Sequence, residues 1–437
     1  MSTYFRTRQA LLLTPYSLFL IPFSYILQRL LSFRRQPGYA CADTKSEVTG
    51  KGTAELFLLN PYMTLSPSHQ FLTAKPPIKV WVLAPSLEHT DTNIDYYYDF
   101  TQSIAEYEKT FAELGIEWKW QPVNLSNYKE IIENIVDERS AGKVTPVVFN
   151  ICDGDEINGT PGISVVRLLE EKELIYTGSD EHFYKITTSK IPMKEAFDKA
   201  GVPTAPWIAI YDKNLDHENF FKKLGTPVIV KPSVSGGSMG VGIKNVVHDQ
   251  AGLQHLVNIM FEGYRGWNLT ADGLLAESFI TGPEYTVLIS GSYDRPDKAK
   301  IYTPVERVFH ASIPDHEKFL SFDRLWEIYE EESPMPDDGD FYKYAVPDAS
   351  RIDEIKKISW EAYVATKGYG YTRVDVRMDQ TTGQLYVLEV NAQCGLSEDE
   401  DYTSIGAILR LSGCTFAALV AEILDDALRR RSLVGQS

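Results

Sequence analysis

Cysteine is scarce in this chain of 437 residues. The four present (Cys41, Cys152, Cys394 and Cys414) show no CxxC and no paired spacing, which excludes a disulfide framework and a zinc site of ordinary spacing. A surplus of basic charge is missing too, with 43 Lys+Arg against 60 Asp+Glu and a net charge of −17. A surface of that sign does not grip a nucleic-acid backbone, so nucleic acid is excluded as a partner. Any polyanionic ligand must be held by a few placed cations together with metal ions. There is no internal repeat, no low-complexity tract and no GxxxxGK[ST] loop. What remains is an ordinary globular composition, 43% hydrophobic and 24% charged, at a length that suits about three domains of roughly 150 residues, or two large ones.

The first 40 residues stand apart. They hold five arginines (Arg6, Arg8, Arg29, Arg34, Arg35) and no acidic residue, and residues 10–27 are uncharged and largely apolar, broken by Pro15 and Pro22. A signal-anchor, an Arg-rich organelle presequence, an interfacial helix and an extension outside the fold all stay open. A membrane is therefore admitted as a partner through residues 10–27. Residues 41–77 read as a linker or arm. From Ile78 the pattern alternates: the buried strand IKVWVLAP, a helix over 99–114, another over 127–139, the strand PVVFNIC, a helix over 163–172, then LIYTGS. This predicts a parallel, doubly wound α/β unit over 78–177. A second unit, 178–273, holds a helix over 186–200, the strand WIAIY, a helix near 214–224 and the strand PVIVKP. A third, 274–433, opens with LLAESFITGPEYTVLIS and closes on YTRVDVRMDQ and GQLYVLEVNA, joined by a TTG turn, with helices near 353–367 and 415–429. The run 327–340, with seven carboxylates and no cation, reads as a solvated loop.

Residues 228–246, VIVKPSVSGGSMGVGIKNV, carry the most chemistry. A strand delivers Lys231 to its end, and Gly236, Gly237, Gly240 and Gly242 let the next backbone approach a ligand. Such a loop presents N–H groups to phosphates with Lys231 as the point charge; a plain Gly-rich hairpin beside a surface lysine is the competing reading. In RVD and LEVN, Arg373 and Asp375 share one strand face, as do Glu389 and Asn391. Pairing through the turn near Gly383 would converge two carboxylates and an amide oxygen, hard donors that suit magnesium. A salt-bridged exposed sheet face is the alternative. In LLAESFITGPEYT, Glu277 could meet an adenine edge and Glu284 ribose hydroxyls, or both could be solvated beside a turn at Gly282-Pro283.

Taken together, KAGVPTAPWIAI (199–210), VIVKPSVSGGSMGVG, GPEYTV and the RVDV and LEVN pair resemble the ATP-grasp superfamily and, within it, the D-alanine–D-alanine ligases, over about residues 78–430. The resemblance implies an ATP-grasp fold, α/β with an α+β ATP-binding part, three domains and ATP between the central and C-terminal ones. It assigns Lys190 and Lys231 to the phosphates, and Ser235, Gly236, Gly237, Ser238 and Gly240 to the loop closing over them. Glu277 with the backbone of Ser278 and Ile280 would meet adenine, and Glu284 the ribose. Asp375, Glu389 and Asn391 match ligands of magnesium, with manganese as the alternative ion. Arg373 matches an arginine that stabilises the developing oxyanion, and Lys318, in EKFLS, a further phosphate-contacting lysine. The implied reaction is that of an ADP-forming carboxylate–amine ligase. A carboxylate attacks the γ-phosphate, and an amine or hydroxyl displaces phosphate from the acyl phosphate.

The sequence departs from the family where substrates would bind. Gly237 replaces the first of two loop serines and Phe319 replaces a tyrosine, so of that clamp only a counterpart of the N-terminal glutamate, Glu88, remains. Ala392-Gln393-Cys394-Gly395 replaces a small residue and a proline, and the histidine–glycine–glutamate signature becomes CDGDEING. Gly395, Leu396 and Ser397 open the substrate-carboxylate loop. The four carboxylates that follow, Glu398 to Asp401, would repel a substrate carboxylate and favour an ammonium group. The expected function is ligation of amino acids or similar small acids. An authentic D-alanine–D-alanine ligase and a catalytically silent nucleotide-binding regulatory protein are the alternatives, and a homodimer is admitted. Three sequons (Asn124, Asn158, Asn268) would suit lumenal passage, but Asn158 lies in the loop expected to face substrate. The need for Mg-ATP favours a catalytic part in the cytosol.

Overall fold

The computed structural model describes residues 74–434 apart from 89–97, 158–159, 215–219, 328, 330–331, 336–338 and 401–402. The leader with its apolar stretch 10–27, nearly all of the arm, Asn158 and Asp401 lie outside the described residues.

The first layer is a parallel sheet. Its elements are β1 (Ile78–Pro85), α1 (Thr101–Leu114), β2 (Glu117–Val123), α2 (Tyr128–Ala141), β3 (Thr145–Asn150), α3 (Ile163–Glu171) and β4 (Ile175–Tyr176), with strand order β2-β1-β3-β4. Helices on both faces explain why β1 is an apolar run buried at every position but Lys79. Val80, Val82 and Phe149 pack with Tyr107 and Phe111 on one side, while Trp81, Leu83 and Val148 meet Ile132, Ile135 and Leu169 on the other. Helix α1 stops at Gly115, whose left-handed backbone (φ 67°) turns its N–H onto the Phe111 and Ala112 carbonyls. Strand β2 was not expected. It is an edge strand with alternating exposure, and its charged and Trp residues mask the apolar run that marks the buried strands.

The helix expected over 186–200 is two helices, α4 (Glu181–Thr188) and α5 (Lys190–Ala200). Between them the extended Ser189 bonds through its hydroxyl to Ser233 and to Asp272, so Lys190 starts a new helix. Then come β5 (Trp207–Ile210), α6 (Phe220–Leu224), β6 (Val228–Pro232), β7 (Val246–Val247), α7 (Gln250–Glu262) and β8 (Leu274–Ser278). Among the described residues only α6 remains of the helix expected near 214–224. The strands form an antiparallel sheet of order β5-β8-β6-β7. Leu274–Ser278, expected to open the third unit, is instead the strand joining β5 to β6. Leu274 and Ala276 pack into the core of this sheet with Ile210, Val228 and Val230, which an isolated edge could not bury.

The last part comprises β9 (Glu284–Ser290), β10 (Lys300–Ile301), β11 (Val305–Phe309), α8 (Phe322–Trp326), β12 (Tyr342–Ala345), α9 (Ile352–Ala365), β13 (Tyr371–Met378), β14 (Leu385–Ala392), α10 (Ser404–Ser412) and α11 (Phe416–Val434). Its antiparallel sheet runs β12-β11-β9-β13-β14, with β10 on β9. β13 and β14 pair through a turn at Gly383 (φ 72°), as expected. Val374, Val376, Val387 and Val390 pack one face onto Tyr363 and Ala362 of α9, which leaves the other face for polar groups. Among the described residues no single helix is long and apolar enough to cross a membrane. The bent pair α10 and α11 passes only jointly, and residues of both belong to the buried core.

Candidate active site

The polar face of the large sheet is built by strand alternation. Arg373, Asp375 and Arg377 of β13 point the same way, and the register extends each into a row. Asp375 stands opposite Glu389 on β14 and Thr286 on β9; Arg373 stands opposite Asn391; Arg377 stands opposite Glu284, itself opposite Arg307 on β11. Thr286 donates to Asp375 at 3.0 Å, and Arg373 reaches Asp375 Oδ2 through Nε at 3.1 Å and Nη2 at 3.0 Å. Asn391 Nδ2 donates to Asp375 at 3.3 Å and to Glu389 at 3.2 Å. Burial raises the Asp375 carboxyl above its ordinary value; Arg373 opposes this and Glu389 adds to it. Burial would raise Glu389 too, but Lys190, Arg373 and Lys231 bring it below.

Two adjacent carboxylates and an amide are hard donors that fit a divalent cation. Among the described residues no group of three or more His, Cys, Asp or Glu could hold a metal alone. An ion here would complete its shell with water or ligand oxygens.

Lys190, the first residue of α5, closes the other side. Its Nζ lies 3.9 Å from Glu389 Oε2 and bonds the Ser235 carbonyl at 3.1 Å and Oγ at 3.2 Å. Lys231, at the end of β6, is a diagonal neighbour of Glu277 on β8, and Nζ meets Glu277 Oε1 at 2.5 Å. The other Glu277 oxygen is 2.9 Å from Lys194 Nζ. Burial alone would push Glu277 up, but Lys194 and Lys231 hold it at about 2. Burial lowers Lys190, with Lys231 and Lys194 adding to the effect and Glu389 opposing it. Glu277 is thus neither solvated nor open to a ligand directly. Ser278 gives its N–H to Pro206 O and its hydroxyl to Leu224 O, and Ile280 is buried. Glu284 is buried between Arg307 and Arg377, the latter at 3.8 Å. Lys318 turns Nζ onto Asp315 at 2.6 Å, and its carbonyl accepts from Arg377.

The glycine loop is fastened along its length. The Gly236 carbonyl accepts from Met239 N–H at 3.0 Å, Ser238 Oγ donates to Leu320 O at 2.8 Å, and Trp326 Nε1 donates to Gly237 O at 2.9 Å. Gly240 is left-handed (φ 72°), and a Cβ there would meet Leu269 Cδ2 at 2.8 Å. Beyond the loop, Glu332 accepts from Ile243 N at 2.8 Å and Ser321 Oγ at 2.6 Å, and lies 3.0 Å from Arg324 Nε. The acidic run 327–340 is therefore not a wholly solvated loop, because Glu332 is drawn into the protein by these donors. Phe319, the tyrosine replacement, is buried against Phe279. Glu88 is exposed, while neighbouring Leu87 packs with Trp267, Phe322 and Trp326.

Toward the first sheet, Gly395 is exposed, Leu396 belongs to the core, and Ser397 donates to Glu106 at 2.7 Å. Among the described residues, the acidic loop spends its carboxylates on protein partners. Glu398 pairs with Lys109 at 2.7 Å, Asp399 accepts from Gln102 at 2.9 Å, and Glu400 accepts from Arg410 at 2.8 and 2.5 Å. Gln393 bridges Asn150 O at 2.7 Å and Ser179 N at 2.9 Å. Asp153, three residues beyond β3, is exposed. The protein crowded about its carboxyl, with Asp155 adding, raises it above the ordinary carboxylate range, to about 7. Burial pushes the Cys394 thiol up to about 12.

Five residues here were not anticipated. Lys194 follows Lys190 by four positions and so shares its helix face, and Arg377 continues the alternation of RVDVR. Those spacings were the available signals. Arg307, Trp326 and Glu332 have none in their local sequence.

Residues 196–425 match the family model described as D-ala D-ala ligase C-terminus. A D-alanine–D-alanine ligase of Xanthomonas axonopodis pv. citri (strain 306) is 30% identical over 285 residues, covering 64% of this chain and 78% of that protein. Two crystal structures of D-alanine–D-alanine ligase from Bacillus anthracis align over 82% of this chain and 99% of theirs. The one complexed with ATP gives a TM-score of 0.56 at 20% identity, the other 0.55 at 21%. At such identity the likeness is one of fold.

Proposed function

The chain belongs to the D-alanine–D-alanine ligase family and is an ATP-grasp carbon–nitrogen ligase, and from that premise we propose that it uses ATP to join the carboxylate of one amino acid, or similar small acid, to the amine of another. The observation that carries this reading is the row Arg373, Asp375, Glu389 and Asn391 facing Lys190, which stands 3.9 Å from Glu389, with Lys231 beside it.

In this reading the ATP phosphates lie between the lysines and the sheet face, under Ser235 to Gly240. Lys190 and Lys231 balance their charge. Asp375, Glu389 and Asn391 would hold magnesium or manganese, which when bound neutralises phosphate charge. Transfer of the γ-phosphoryl group to the carboxylate gives ADP and an acyl phosphate. The amine attacks the acyl carbon and phosphate leaves. Arg373 keeps its charge throughout: burial works against it, but Asp375 and Glu389 hold it above its ordinary value. It is placed to meet the oxyanion that develops. The protein supplies positioning and fixed charge and no nucleophile, in keeping with a buried, protonated Cys394.

The specificity of the site rests on altered positions, Gly237, Phe319 and Gln393, and on Asp153, the exposed carboxylate three residues beyond β3. The catalytic part faces the cytosol, where Mg-ATP is available. Full-length protein and a version starting at Ala40 should then differ in fractionation only if the leader anchors the chain.

The test is phosphate release from Mg-ATP with a panel of D- and L-amino acids, with Asp375→Ala as control. Amino-acid-dependent phosphate, with a product whose mass is two acids less one water, is expected. If no substrate exceeds the control while ATP still binds, the reading fails.

A further inference from the structure

Lys194 is 0% exposed. An ammonium group that deep stays charged only where partners replace water. It has three: Glu277 Oε2 at 2.9 Å, Thr204 Oγ1 at 2.5 Å and the Val387 carbonyl at 3.4 Å. Thr204 also donates to Val387 O at 2.9 Å. These groups lie on β8, on the segment entering β5 and on β14, so one side chain of α5 ties the β5-β8-β6-β7 sheet to the edge strand of the large sheet. The charged groups facing this cluster are Lys190 and Lys194 of α5, Lys231 of β6, Glu277 of β8, Arg377 of β13 and Glu389 of β14.

The division of labour at Glu277 follows. Its carboxylate is 2% exposed and has two oxygens to satisfy. Lys194 takes one, so Lys231 meets only the other, and the rest of the Lys231 ammonium remains at the cleft, where its side chain is 19% exposed. Without Lys194, a buried carboxylate would turn both oxygens onto Lys231 and draw it into the sheet face.

We propose that Lys194 is a positioning residue for nucleotide binding, holding Glu277 by one oxygen so that Lys231 stays aimed at the phosphates. This rests on the ligase reading above. Lys194 itself touches no ligand, being sealed from the cleft.

Glu277 titrates below its ordinary value in the fold, so its ionisation contributes stability that is present above the unfolded carboxyl value and lost as pH falls toward about 2. Removing Lys194 raises that folded value, so less stability depends on the ionisation and its loss is complete at a higher pH. The experiment compares full-length wild type, Lys194→Met and Lys194→Met/Glu277→Gln. Two quantities are read: the dissociation constant for Mg-ATP, and the unfolding temperature against pH without nucleotide. Lys194→Met is expected to weaken Mg-ATP about tenfold or more, the loss of one charged hydrogen bond, and to move the acid limb of stability upward. The double variant, with no buried carboxylate to leave unpaired or to draw Lys231 inward, should regain both stability and affinity.

A folded Lys194→Met protein with affinity within about twofold of wild type and an unmoved acid limb overturns the proposal. Should Lys194→Met not fold, an affinity in the double variant still about tenfold below wild type overturns it equally. If wild type binds no Mg-ATP, the ligase reading falls, and an acid limb that still moves leaves Lys194 as the holder of Glu277.

Discussion

Trp326 donates its indole N–H to the carbonyl of Gly237 at 2.9 Å, across 89 residues of sequence. The contact fastens the glycine loop at the position where the family resemblance calls for a serine side chain. Ser238 Oγ on Leu320 O adds a second fastening. Trp326→Phe keeps a ring among Trp267 and Phe322 but removes the donor. A hydrogen bond of about 1 kcal/mol should raise the apparent KM for ATP about fivefold. Steady-state kinetics with ATP varied, alone and with Ser238→Ala, checks this.

Asp375 and Glu389 face each other in register, so neither should substitute for the other. Asp375→Asn or Glu389→Gln is expected to lower amino-acid-dependent phosphate release by about 100-fold or more, the scale of a lost catalytic charge. In Asp375→Asn the Arg373 guanidinium keeps Glu389 at 3.8 Å, so the unfolding temperature should change little. Measuring both separates catalytic from structural loss.

The Asp153 carboxyl, beside Tyr98, Cys152, Asp155, Tyr184 and Tyr371, is pushed up to about 7. A carboxyl raised by folding contributes stability that is fully present below its unfolded value and lost as pH rises through about 7. Asp153→Asn should flatten that decline between pH about 4 and about 7. It should also remove an inflection near 7 from the pH profile of kcat/KM. Thermal melts and initial rates across this range test the two effects separately.

The acidic loop should be dispensable for substrate choice. Glu398 and Glu400 are 41% and 37% exposed and spend their charge on Lys109 and Arg410. Glu398→Gln and Glu400→Gln should each cost at most about 1 kcal/mol, as exposed ion pairs do. The ranking of amino acids by kcat/KM should stay the same. A changed ranking would put these carboxylates back at the substrate.

Much of this site was legible because local rules specify it. Alternation along RVD and LEVN placed four polar groups on one face, and the TTG turn gave their pairing. The strand ending at Lys231 and the glycines after it were equally plain. What escaped reading depends on distant partners. Glu277 and Glu284 read as adenine and ribose contacts or as solvated glutamates beside a turn, because nothing within LLAESFITGPEYT reveals the lysines of α5 and β6 or the arginines of β11 and β13. Glu398 and Glu400 looked like free charge because Lys109 and Arg410 lie elsewhere in the chain. The edge strand β2 was missed because its alternation is carried by Trp and Lys, and the break at Ser189 because its cause, Asp272, is 83 residues away.

Strand β8 is the last of its sheet to be synthesised, yet among the described residues β5 pairs with it alone and β6 has otherwise only the two-residue β7. While the chain emerges from the ribosome, β5 must wait for residues 274–278 before it has any neighbour. Lys194 and Lys231 likewise remain without their shared carboxylate until then. A product truncated just before Leu274 would present two apolar strand edges to any other chain, whereas one ending a few residues beyond Ser278 could close the sheet.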